Sequence, residues 1–99
     1  MNKSLQDPNI KQLFNAILKL RSEEECFSFF EDLCTITELK AISQRLAVAK
    51  MLYNGSVYSN IVEKTGASTA TISRVNRSLA YGNDGYAIVF SRLQNEKDN

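Results

Sequence analysis

IVEKTGASTATISRVNRSL, residues Ile61 to Leu79, holds two short helical patterns hinged on one glycine. A short amphipathic helix ends near Thr65, and Gly66 supplies the left-handed turn that residues with a Cβ resist. Ser68 follows as the N-cap of a second helix. That helix sets Ile72, Val75 and Leu79 on one stripe, three or four residues apart, to pack against Ile61 and Thr65 of the first. Thr69, Ala70, Ser73, Arg74 and Arg77 are left facing outward. Two helices joined this way have the spacing of a helix-turn-helix, whose second helix enters the DNA major groove. Short side chains near its N-terminus let the backbone approach base edges, and two arginines reach phosphate or guanine. A plain structural helix pair with a solvated outer face is the competing reading of the same residues.

Ninety-nine residues make one domain, with one modest core. The chain is 43% hydrophobic with one proline and four glycines, which points to a globular, helical protein. No window approaches the ~18 uninterrupted apolar residues of a membrane span. The opening MNKSLQDPN has no apolar run, so no signal peptide is expected and the address is cytoplasmic. Cys26 and Cys34 read as lying on a single helix, about 12 Å apart at helical rise, too far for a disulfide. Zinc would need two further ligands, and the chain has no histidine. Both cysteines read as small core or interface hydrophobes, and no metal site is expected.

The net charge of +1 divides unevenly. Residues 1–38 carry four basic groups against seven acidic ones, −3 in sum. Residues 39–92 carry seven basic groups against Glu63 and Asp84, which is +5, and the last seven residues add −1. Positive charge therefore gathers in the half that holds the helix-turn-helix, as attraction to phosphate requires.

The other helices announce themselves by their caps. Asp7-Pro8 is an N-cap followed by proline at the first helical position, opening a helix with the stripe Ile10, Leu13, Phe14, Ile17 and Leu18 that stops near Arg21. Ser22 opens a second with a capping box to Glu25, and Glu23, Glu24 and Glu25 complement the helix dipole. Those carboxylates have a structural job; no catalytic residue is assigned, and the chain reads as a non-enzyme. Phe27, Phe29, Phe30, Leu33 and Cys34 are too many apolar residues for one narrow stripe. They imply either a helix packed within a dimer or a well-filled monomer core. Thr35 and Glu38 form another capping box, with Thr37 as a rival cap. The stripe Leu39, Ile42, Leu46, Ala49, Leu52 and Tyr53 then carries a helix of roughly sixteen residues to Asn54-Gly55. Arg45 and Lys50 lie off that stripe. After Leu79, residues 81–85 form a turn by composition, and a last helix runs from Tyr86 to Leu93 ahead of a polar, frayed tail, QNEKDN.

At Ala70-Thr71-Ile72-Ser73-Arg74, preceded by Gly66-Ala67, the chain resembles the Trp repressor superfamily, whose recognition helix carries a nearly identical segment after a Gly-Ala turn. The likeness covers about residues 31 to 80, with Thr35, Glu38, Ala41, Arg45, Leu52 and Gly55 at matching places. One residue fewer separates Gly55 from Gly66 than in the repressor. The flanks are more similar to the small Trp-repressor-like proteins of the YerC/YecD type than to the tryptophan-sensing repressor. The resemblance implies an all-α, intertwined homodimer with two reading heads on successive major grooves. It also implies that Thr69, Ala70 and Ser73 lie where the family contacts base edges. Arginines at the positions of Arg45 and Arg74 sandwich the indole of tryptophan in the true repressor, and both are present. The family's glycine after the second arginine is replaced by Val75, which crowds an indole. Asp32 and Cys34 stand where the family's pocket wall is leucine. Arg45 and Arg74 are thus either walls of an effector pocket, or phosphate clamps or intrachain pairing groups.

The sequence is accordingly read as one all-α domain of about six helices over residues 1–99. Helices of about 7–53 and 86–95 serve dimerisation, and the helix-turn-helix occupies about 57–79. The expected function is DNA-binding transcriptional regulation, most simply repression, by a cytoplasmic homodimer on double-stranded DNA. Asn60, Lys64, Ser68, Thr69, Ala70, Ser73, Arg74 and Arg77 form the expected DNA-binding set. No cofactor is required, with tryptophan as the corepressor if Arg45 and Arg74 do form a pocket. The alternatives are a helical protein-interaction module on the same fold and a tryptophan-responsive repressor.

Overall fold

The computed structural model describes residues 3–98. Its backbone is helical: a 3-10 turn at Lys3–Gln6, then α1 Pro8–Ile17, α2 Glu23–Leu33, α3 Ile36–Tyr53, α4 Tyr58–Thr65, α5 Thr69–Tyr81 and α6 Gly85–Asp98. No strand occurs among the described residues. The chain divides after Leu39 into two compact units.

In the first unit each helix is set by its cap. The Asp7 carboxylate accepts the Asn9 N–H at 2.7 Å, and Pro8 fills the first helical position of α1. This helix ends at Ile17, earlier than its apolar stripe suggests. Its last turn tightens, with Lys19 N–H bonding Ala16 O and Leu20 N–H bonding Ile17 O. Leu18 is left outside the helix and exposed. At α2 the Ser22 hydroxyl accepts the Glu25 N–H at 3.1 Å, while the Glu25 carboxylate takes the N–H of Arg21, one residue before the expected partner. Phe29 and Phe30 meet edge to face, with centroids 5.5 Å apart. Cys34 terminates α2 instead of lying on it, and both cysteines are free and half-buried.

The Thr35 box closes in both directions: its hydroxyl accepts the Glu38 N–H at 3.1 Å, and the Glu38 carboxylate accepts the Thr35 N–H at 2.9 Å. Thr35, not Thr37, is the cap. Hydrogen bonding to the Glu38 carboxyl, from the Thr35 backbone N–H first and then from the Thr35 side chain, lowers its pKa from the ordinary value. The helix they start, α3, has 18 residues.

The second unit owns the core. Val48, Ala49, Ile61, Ala67, Ile72, Val75 and Phe90 are buried together, with Met51, Leu52, Leu79 and Tyr86 packed against them. Burying a side chain the size of Ile61 or Ile72 stabilises by ~1.5–3 kcal/mol, so α4 and α5 are held chiefly by this cluster. The core side of α3 differs from the stripe read along its sequence. Val48, absent from that stripe, is fully buried beside Ala49, while Ile42, Leu46 and Tyr53 stay about half exposed. Apolar residues occur on several sides of α3, and only tertiary packing selects which side faces the core.

The turn expected at residues 81–85 lies between α5 and α6, shortened to 82–84, and one departure follows it. In the turn after α5, Asp84 takes the left-handed conformation at φ 61°, and a Cβ on Gly82 would run into the Ser78 carbonyl oxygen. Helix α6 then continues to Asp98, so residues 94–98 are helical instead of frayed. Gln94, Glu96 and Lys97 are good helix formers with no breaker among them, and polarity alone does not end a helix. Asn99, like Met1 and Asn2, lies outside the described residues.

Candidate nucleic-acid interface

Helix α4 starts at Tyr58 without a side-chain cap and stops at Gly66, whose φ of 71° is the left-handed turn read from the sequence. The Gly66 N–H bonds Val62 O at 2.9 Å, closing the helix end. Thr65 serves the turn through its polar group: its hydroxyl donates to Ile61 O at 2.7 Å and accepts the Ala67 N–H at 3.2 Å. Ala67 is itself buried, so the turn is anchored on both sides.

The Ser68 hydroxyl accepts the Thr71 N–H at 3.1 Å and donates to Thr71 Oγ1 at 3.0 Å. Ser68 therefore starts α5, and its hydroxyl is committed to the cap. From there α5 divides as its spacing requires. Ile72 and Val75 are buried and Leu79 is partly buried, whereas Thr69, Ala70, Ser73, Arg74 and Arg77 are exposed. Asn60 and Lys64 are exposed on α4, with Lys64 in the last turn where a cation offsets the helix dipole. All eight residues of the expected set are thus solvent-accessible on one helix-turn-helix. Chemically the outer face of α5 offers a hydroxyl and a methyl near its start and two guanidinium groups further along.

Arg45 on α3 and Arg74 on α5 are both exposed. Val75 is 2% exposed and belongs to the core between the helices. Two shallow clefts of this unit, one lined by Leu52, Tyr53, Leu79 and Tyr86 and the other by Lys50, Tyr53, Phe90 and Leu93, include neither arginine.

Three residues escaped the sequence reading. Tyr81, 86% exposed, ends α5 one turn beyond Arg77, a position its spacing could have flagged. Thr71 is the partner of the Ser68 cap, which the i, i+3 spacing also allows. Gln44 on α3 donates to the Thr65 carbonyl at 3.1 Å across 21 residues of sequence, and no local pattern announces such a bond.

Helices of this order, with α4 and α5 joined through a left-handed glycine, make the protein an all-α member of the helix-turn-helix class. The sequence pattern of the Trp repressor protein family matches residues 8–94. The chain is 53% identical over 90 residues to the uncharacterized protein YerC of Bacillus subtilis (strain 168), covering 91% of this chain and 86% of YerC. Its fold is similar to that of a TrpR-like protein from Eubacterium eligens ATCC 27750, with a TM-score of 0.91 and 59% identity over 94% of this chain and 96% of that one. A structure from Staphylococcus aureus, proposed to be a Trp repressor, gives a TM-score of 0.89 and 50% identity over 93% and 92% of the two chains. The chain belongs to the Trp repressor family, a regulatory, non-enzymatic one. Among the described residues no helix is long and apolar enough to cross a membrane.

Proposed function

We propose that this protein is a sequence-specific DNA-binding transcriptional regulator that acts as a homodimer, repressing by occupying an operator. The observation that carries the proposal is the division of α5, with Ile72 and Val75 buried and Thr69, Ala70, Ser73, Arg74 and Arg77 left exposed on its outward face. Thr69, Ala70 and Ser73 read base edges, Arg77 lines the groove, and Arg74 and Lys64 hold phosphates. Asn60 joins them beside the start of α4, where backbone N–H groups without a side-chain cap favour an anion. Ser68 contributes by fixing where α5 begins.

The dimer rests on surface. Among the described residues up to Leu39 none is buried. Leu5, Phe14, Phe27, Leu33 and Ile36 are among the exposed apolar residues of the first unit, and a second copy of the chain covers them in this reading. Tryptophan is not the effector in this reading, because Val75 occupies the core beside Arg74 and narrows the space an indole would need.

Selection of duplexes from a random-sequence pool by the purified protein, followed by affinity measurement over a salt series, tests the function. A selected inverted repeat whose affinity falls steeply with salt is the expected result, since each phosphate contact contributes about 0.9 to the slope. Recovery of no preferred sequence, with affinity insensitive to salt, would favour a protein-interaction module on the same fold.

A further inference from the structure

A long-range side-chain bond ties the helix-turn-helix to α3. Gln44, half-buried one turn before Val48, donates its Nε2 to the Thr65 carbonyl at 3.1 Å. That carbonyl is among the last of α4 and has no partner within its own helix, as is general for helix ends. The same residue, Thr65, accepts the Ala67 N–H through its hydroxyl, so α3, the end of α4 and the residue just before the α5 cap meet at one point. Apolar packing of Ile61, Ile72 and Val75 is driven by a non-directional effect, whereas a hydrogen bond has a defined length and angle.

We propose that Gln44 is a positioning residue for DNA recognition: by holding the Thr65 carbonyl it fixes the angle at which α5 leaves the Gly66 turn. This rests on the DNA-binding reading above. Gln44 lies on α3 and touches no base in it. Its effect falls on base-edge contacts, which depend on sub-ångström placement, more than on phosphate contacts, which long flexible side chains make from many positions. The bond is thereby a determinant of specificity built into the protomer, next in sequence to Arg45.

The test uses the full-length protein, a duplex selected by the unmodified protein, and a scrambled duplex of the same composition. Gln44→Met keeps length and volume without a donor, and Gln44→Lys restores a donor of similar reach. The ratio of selected to scrambled affinity should fall on the order of threefold to tenfold in Gln44→Met. It should recover in Gln44→Lys, where the added charge strengthens binding to both duplexes and cancels in the ratio. Melting temperature, followed in parallel, is a readout of a merely structural role. A lowered melting temperature with the ratio unchanged in Gln44→Met, or a ratio that Gln44→Lys fails to restore, would overturn the proposal. If the unmodified protein prefers no duplex, it is the DNA-binding reading that fails, and the two failures are told apart by that control.

Discussion

Phe27 on α2 and Ile72 on α5 are both apolar residues on short helices opened by a serine cap, yet Phe27 is 65% exposed and Ile72 is fully buried. The contrast extends to their surroundings. Among the described residues up to Leu39 none is buried, although this stretch holds Leu5, Phe14, Phe27, Phe29, Phe30 and Leu33. The second unit assembles seven buried apolar residues from α3 to α6. Local signals, a cap and an acidic first turn, suffice to start a helix, but they do not supply a face to pack against. The second unit finds that face within its own chain. For the first unit, the proposed dimer supplies it from a second copy.

Substitutions at the two residues test this difference most strongly. Ile72→Ala should cost ~2–5 kcal/mol in urea denaturation, the range for emptying a packed site. Phe27→Asp should do comparable damage by another route. Unfolding of the unmodified protein should shift to higher denaturant as protein concentration rises, because association stabilises the folded state. The variant should lose that dependence and scatter light as a monomer. A cost for Phe27→Asp within about 0.5 kcal/mol, as at an ordinary surface position, would break the comparison.

A smaller effect is expected near the boundary of the two units, where Thr35 caps α3. Thr35→Ala should cost about 1 kcal/mol through loss of the hydroxyl cap. It should also change the acid response. The pKa of the Glu38 carboxyl is lowered from its ordinary value by the Thr35 N–H and hydroxyl, so it binds fewer protons folded than unfolded. Its contribution is present above the unfolded value and is lost as pH falls through the folded one. Denaturation curves over a descending pH series should therefore show a shallower acid loss in Thr35→Ala than in the unmodified protein.

The smallest effect expected is none. Tryptophan at millimolar concentration should leave the melting temperature unchanged, because a ligand that binds only the folded state must raise it once its concentration exceeds the dissociation constant. A saturating rise would return Arg45 and Arg74 to the walls of an effector pocket.

What is legible in the sequence follows the range of the forces involved. Caps at Asp7, Ser22, Thr35 and Ser68, and the left-handed turn at Gly66, act within a few residues and can be read, while the partners Asn9 of Asp7 and Thr71 of Ser68 and the shift of the Glu25 bond to Arg21 go unread. The inward and outward faces of α5 are legible because its apolar residues form one clean stripe. The core side of α3 is not, since apolar residues flank it on several sides and the choice of Val48 depends on what packs there. Gln44 is illegible for a different reason: a bond across 21 residues leaves no periodic trace.

On the outward face of α5 the proposed function stands or falls. Ser73→Ala and Arg74→Ala should be measured against the selected and the scrambled duplex over a salt series. Ser73→Ala should change base preference by ~1–3 kcal/mol, as loss of a base-edge contact does. Arg74→Ala should weaken both duplexes about equally and lower the magnitude of the salt slope by roughly one per subunit. Unchanged affinity, preference and salt slope in both variants, with helicity intact by circular dichroism, would contradict the assignment of α5 as the reading helix.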